Sequence, residues 1–160
     1  MRLSVIAVGR LKAGPEKALA DDYFTRAEGL GRKAGISRFG VTEFAESQAA
    51  TAAQRMTEEA RLISGALPPR GFTIVLDERG KAVTSEAFSK LLQRHLDEAT
   101  PEVSFLIGGP DGHAPEIRTS AGLLLSLGAM TWPHRLARVM LFEQIYRAVT
   151  IMVNHPYHRP

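Results

Sequence analysis

Val103-Ser104-Phe105-Leu106-Ile107-Gly108-Gly109-Pro110-Asp111-Gly112 decides the fold class. Five apolar or small residues in an unbroken run read as a strand buried on both faces, the kind found inside parallel sheets. The glycine-rich turn closes it, and a short helix from about Pro115 follows. Strand, turn and helix recur in both directions along the chain. Upstream, Leu3–Val8 is a buried-type strand, and Gly14-Pro15-Glu16 opens a helix with the stripe Leu19, Tyr23, Ala27 and Leu30. Ile36–Phe44 alternates as a strand, and helical spacing runs from Ser47 to Leu67 until Pro68-Pro69-Arg70-Gly71 stops it. Phe72–Leu76 is a third strand, ended by the turn Asp77-Glu78-Arg79-Gly80. Thr84 and Ser85 cap a helix whose core face is Phe88, Leu91, Leu92 and Leu96.

Downstream, Leu123–Met130 fits a strand or a buried helix on pattern alone. The last helix, about Arg135 to Val153, is apolar on nearly every side and needs cover, for which a second subunit is the expected source. The alternation predicts an α/β fold with a mostly parallel sheet and helices on both faces, one domain over residues 1–160. Ligands in such sheets sit at the carboxyl ends of strands near a switch in strand order. That rule selects the loops after Leu76, Ile107 and Met130.

Composition narrows the chemistry. Zero cysteines exclude a disulfide scaffold, a thiolate nucleophile, an iron–sulfur cluster and a Cys-type zinc site. No apolar run is long enough to span a bilayer, and Met1–Gly9 is too short for a signal peptide, so a cytoplasmic, membrane-free protein is expected. No G-x-S-x-G, Walker loop or dinucleotide fingerprint occurs. Charge is balanced up to Trp132, whereas Arg135, Arg138, Arg147 and Arg159 face Glu143 alone beyond it, so the net +3 lies at the C-terminal end. An anionic partner accounts for that asymmetry, and so does a solvated helix face.

Two further segments carry chemistry. Leu127-Gly128-Ala129-Met130-Thr131-Trp132-Pro133-His134 joins a small, flexible loop to a basic helix start that Thr131 is placed to cap; a capped strand end explains it equally. The end of the chain, Asn154-His155-Pro156-Tyr157-His158-Arg159-Pro160, is rich in groups that stack on bases and bind phosphate. His155 and His158 have metal-like spacing, but Pro156 breaks the helix that would align them and no further ligand completes a set, so no metal is expected.

With these segments placed, the chain closely resembles the RlmH family of bacterial SPOUT methyltransferases, pseudouridine N3-methyltransferases acting on 23S rRNA. The residues that carry the resemblance are Val5–Gly9, Ile74–Asp77 with Gly80-Lys81, Phe105–Gly112, Pro133-His134 with Arg138, Glu143–Ala148 and Asn154–Arg159. Trp132 departs from the smaller apolar residue of many relatives, and Asp111 stands for the more familiar Glu. The resemblance implies a deep C-terminal trefoil knot, S-adenosylmethionine as cofactor and an obligate homodimer. It places the cofactor on Leu76, Gly108, Gly109 and on Leu127, Gly128, Ala129, Met130, Thr131 and Trp132. The catalytic hypothesis built on that resemblance has His155, Tyr157, His158 and Arg159 folding over the cofactor, from the partner subunit in one version, with Arg138 and Arg159 neutralising the uracil oxygen or a phosphate and Tyr157 or His155 orienting or accepting the N3 proton. The substrate it implies is 23S rRNA in an assembled ribosomal particle. The rivals are a non-catalytic ribosome-assembly protein of the same fold and a SPOUT methyltransferase with another target, such as tRNA ribose.

Overall fold

The computed structural model describes residues 1–159. Ten elements alternate: β1 (Arg2–Val8), α1 (Pro15–Gly31), β2 (Arg38–Phe44), α2 (Ala52–Ala66), β3 (Phe72–Ala82), α3 (Ser85–Asp97), β4 (Glu102–Ile107), α4 (Pro115–Thr119), β5 (Leu123–Ser126) and α5 (His134–Met152). The five strands form one sheet in the order β2-β1-β4-β3-β5, and every pairing is parallel. The expectation of a mostly parallel sheet therefore holds without exception.

The period of two along each strand sorts the core into two layers. Leu3, Val5, Ala7, Val103, Phe105 and Ile107 face α1, α3 and α5, against Ala20, Ala27, Phe88, Leu92, Leu141 and Phe142. Ile6, Val8, Val75 and Leu106 face the other way, against Ala60 and Ile63 of α2 and Ile117 of α4. All six residues of β4 are buried, as its unbroken apolar run requires. Val103, Phe105, Leu106 and Ile107 each contribute about 1.5–3 kcal/mol by leaving water, so β4 anchors both layers.

Local signals explain most boundaries. α2 starts later than its spacing suggests because Thr51 and Gln54 form a reciprocal capping box, fixing Ala52 as the first helical residue. α5 ends where Asn154 takes a left-handed conformation (φ 53°). There the His155 N–H donates to the Thr150 carbonyl and the Asn154 N–H to that of Ile151.

Two expectations need correcting. The turn Asp77–Gly80 does not end β3. Leu76 and Lys81 both pair with Leu125, so the four residues between them bulge out while the strand continues to Ala82. The Arg79 N–H donates to Asp77 Oδ1 at 2.9 Å, so the turn chemistry is present inside the bulge. Residues 127–133 are neither strand nor helix; β5 stops at Ser126 and α5 begins at His134 without a side-chain cap from Thr131.

Candidate functional site

From β3 the chain turns inward to β4 and then outward, past β3, to β5. The bulge inside β3 and the loops that leave β4 and β5 converge on a cleft of about 330 Å³, within the range of small-ligand sites. Its walls include Leu76 and Asp77 at the β3 bulge, Gly108 to His113 after β4, and Leu127, Gly128, Met130, Thr131 and Trp132 after β5. Ala129 is exposed and does not line it.

The glycine turn is tight. The Gly112 N–H donates to the Gly109 carbonyl at 2.9 Å, with Gly112 at φ 81°. A Cβ on Gly108 would lie 3.0 Å from the Gly112 carbonyl carbon, and one on Gly109 would lie 2.9 Å from Glu59 Oε2 and 3.1 Å from Val8. The packing behind the turn leaves no room for a Cβ at either position, which is why both are glycine. Arg55 braces the turn through two hydrogen bonds to Asp111, at 2.6 and 3.1 Å, and this pairing lowers the Asp111 carboxyl below its usual range.

Behind the turn, Glu59 is buried and accepts the Ser47 N–H at 3.0 Å. Burial raises its carboxyl above the ordinary value, against the lowering effect of that hydrogen bond. On the far wall, Arg118 reaches Asp77 at 2.9 Å. His113 is 7% exposed, and neither ring nitrogen has a hydrogen-bond partner. Burial drives its imidazole down to about 4, so the ring is neutral near pH 7.

The residues expected to be catalytic lie elsewhere. Arg138 is 1% exposed: it pairs with Glu43 and donates to the Gly9 carbonyl at 2.6 Å, tying α5 to the ends of β1 and β2. Burial lowers its pKa, with Glu43 opposing. It does not line the cleft.

None of His155, Tyr157, His158 and Arg159 lines the cleft of its own chain. Tyr157 packs against Tyr146 with ring centroids 4.6 Å apart and planes tilted by 56°, and lies under the Arg147 guanidinium at 4.9 Å. Its hydroxyl donates to Glu143 at 3.0 Å. Burial first, then its hydrogen bonds to Tyr23 and Glu143, raise the phenol, which keeps its proton in this position. His158 meets Glu86 at 3.0 Å. His155 accepts the Tyr157 N–H at Nδ1, 3.2 Å away, and is exposed, as is Arg159.

The basic end of the chain is thus partly neutralised within itself. Arg138 is taken by Glu43 and Arg147 by Glu143, the latter pair being the intrahelical one that its spacing suggests. Arg135 and Arg159 remain exposed.

A second hollow, about 510 Å³, opens between α1, α3 and α5, with Leu19, Tyr23, Phe88, Val139 and Met140 among its walls. Leu125 to Gly128 line both hollows, which therefore share the β5 end as a partition. Leu19, Leu136, Met130 and Trp132 are exposed, Met130 at 72%.

Sequence reasoning did not single out His113, Arg118 or His134 for the cleft. His134 was legible only as part of a Pro-His pair at a helix start, and the other two as ordinary residues near a glycine turn.

Comparison with known proteins decides the family. The family model described as "Predicted SPOUT methyltransferase" matches residues 1–158. The chain belongs to the SPOUT methyltransferase family. The chain is 54% identical over 159 residues to a ribosomal RNA large subunit methyltransferase H of Rhodopseudomonas palustris (strain HaA2), with 99% of each chain covered. It is 50% identical, at the same coverage, to the protein of that name from Bradyrhizobium diazoefficiens. Among solved structures, a probable methylase family protein from Haemophilus influenzae Rd KW20 matches at a TM-score of 0.52 and 8% identity. That match covers 99% of this chain and 70% of the other, a likeness of fold. As a SPOUT methyltransferase, the chain carries its cleft at the three segments the sheet rule pointed to, although β3 runs on past Leu76 and β5 ends at Ser126 rather than Met130.

Proposed function

We propose that the protein transfers a methyl group from S-adenosylmethionine to N3 of a pseudouridine in 23S rRNA of the assembled ribosomal particle, as a cytoplasmic homodimer. The observation that carries this reading is the convergence of the β3 bulge and the β4 and β5 loops on one cleft lined by Gly108 and Gly109. Near-complete coverage at 50–54% identity by relatives named large-subunit rRNA methyltransferases supports the substrate.

The residues present fit the cofactor. Leu76, Leu127, Met130 and Trp132 supply apolar surface, and Gly108 and Gly109 leave backbone amides and carbonyls open where a Cβ would collide. When bound, the cofactor supplies an electrophilic methyl on a sulfonium sulfur. The protein's task is to present the uracil edge in line, hold the charge that develops on its oxygens and remove the N3 proton.

In the dimer, the tail of one subunit covers the cleft of the other. Each cleft lacks its own chain's tail, Met130 and Trp132 of the cleft and Leu19 of the second hollow are exposed and need cover, and residues 125–128 separate the two hollows. Arg159 then faces the substrate's negative charge, and Tyr157 orients the tail through its hydrogen bond to Glu143. Arg138 acts from behind as a positioning residue, fixing the start of α5 beside the cleft. The segment after β5 closes the trefoil knot characteristic of the resemblance.

The test is methyl transfer from labelled S-adenosylmethionine to ribosomes isolated from a strain deleted for this protein, with mass mapping of the rRNA nucleosides. One methylated pseudouridine per large subunit supports the reading. Absence of transfer with intact rRNA contacts would make the protein a non-catalytic assembly factor.

A further inference from the structure

We propose that His134, backed by Glu46, accepts the N3 proton of the uracil ring during methyl transfer. This deepens the methyltransferase reading and rests on it. His134 stands at the first position of α5 and lines the cleft, whereas the tail imidazoles His155 and His158 do not. The other cleft imidazole, His113, is buried with both nitrogens shut off from solvent. His134 is half-buried. Its Nε2 lies 3.9 Å from Glu46 Oε1.

The two side chains meet across Gly9. A Cβ there would lie 3.0 Å from the carboxylate oxygen and 3.4 Å from the imidazole nitrogen. The gap that glycine leaves is what lets the carboxylate stand behind the ring. With Nε2 turned toward Glu46, the other ring nitrogen is the one left to accept a proton. Such pairs are often long before substrate binds and tighten afterwards.

Glu46 is the carboxylate that meets His134. Glu43, from the same side of the sheet, is taken by Arg138, and Glu59 accepts the Ser47 N–H at Oε1. The other charged group nearest on α5 is Arg135, which is exposed. Tyr157 holds its proton against Glu143, which makes it a donor.

The step balances without a further reactant. The N3–H pair becomes the new N3–carbon bond, the proton passes to His134, and the pair of the breaking carbon–sulfur bond stays on sulfur as a neutral thioether. His134 leaves the step as imidazolium beside Glu46 and then returns its proton to water.

The experiment uses the full-length protein and ribosomes lacking the modification. H134Q is expected to lose at least about 100-fold in single-turnover rate, while the dissociation constant for S-adenosylmethionine stays within about threefold. Added imidazole restores part of the rate to H134A. The wild-type rate falls as pH drops through the imidazole range, and that limb is absent from H134Q. E46Q is expected to lose about tenfold in the same single-turnover rate, with the dissociation constant for S-adenosylmethionine unchanged. A rate for H134Q within threefold of wild type, with the pH limb kept, overturns the proposal; so does an E46Q rate equal to wild type. Failure of wild type to bind S-adenosylmethionine at all would instead overturn the methyltransferase reading beneath it.

Discussion

The Tyr157 hydroxyl donates to Glu143 Oε1 across 3.0 Å, and the same oxygen accepts Arg147 Nε at 2.9 Å. One carboxylate on α5 therefore fixes both the helix's own guanidinium and the chain end that follows it. The tail is built into the helix layer by this contact, the packing on Tyr146 and the His158–Glu86 pair.

That arrangement separates the tail's role from the cofactor's. Replacing Arg159 with Ala, or Tyr157 with Phe, is expected to lower ribosome methylation by about 100-fold or more and to change the affinity for S-adenosylmethionine less than about threefold. Parallel rate and calorimetric measurements check it. Equal loss of cofactor binding in both variants would remove the tail from the catalytic role.

Arg138 makes a prediction about stability. Replacing it with Met leaves Glu43 facing the protein without its partner and strands the Gly9 carbonyl, at a cost of about 3 kcal/mol. Arg138→Lys is expected to recover little of this, since one ammonium cannot reproduce two directed guanidinium contacts. Urea midpoints at constant slope read both values.

Gly108 tests the cleft floor. In Gly108→Ala the new methyl meets the Gly112 backbone, which a rotamer change cannot relieve. The turn must open, and cofactor affinity is expected to fall about tenfold or more, with about 1–3 kcal/mol lost from stability by overpacking. Calorimetry and thermal unfolding distinguish the two effects.

His113 gives the fold a pH dependence. Its folded value, about 4, lies below its ordinary 6.5, so the unfolded chain binds a proton that the folded chain refuses. This contribution is fully present above about pH 6.5 and is lost as pH falls toward 4, roughly 3 kcal/mol in all. His95, lowered mainly by burial, acts in the same direction, and Glu59, raised by burial, in the opposite one. The difference in stability between pH 7 and pH 4.5 should therefore be smaller in His113→Leu than in wild type, by denaturant unfolding.

The sheet was legible because strands buried on both faces read as unbroken apolar runs, and β4 is the plainest instance. The cleft was legible because a parallel sheet opens at its carboxyl ends and glycine marks where side chains are excluded. The bulge in β3 was not, since Asp77–Gly80 carries full turn chemistry and only the pairing of both Leu76 and Lys81 with Leu125 keeps it in the sheet. Arg138 was misplaced because a guanidinium in a helix reads as a surface charge; its carboxylate partner is 95 positions away. The seating of the tail on Glu143 and Glu86 depends on side chains brought together by the α1–α3–α5 layer, which no local pattern records.

A crystal structure of the protein with S-adenosylmethionine tests the central claim most directly. The account predicts the donor between Gly108–Gly109 and Leu127–Trp132, its methyl roofed by Tyr157 and Arg159 of a second subunit. A donor bound elsewhere, or a saturated cleft with no tail residue over the methyl, would contradict it.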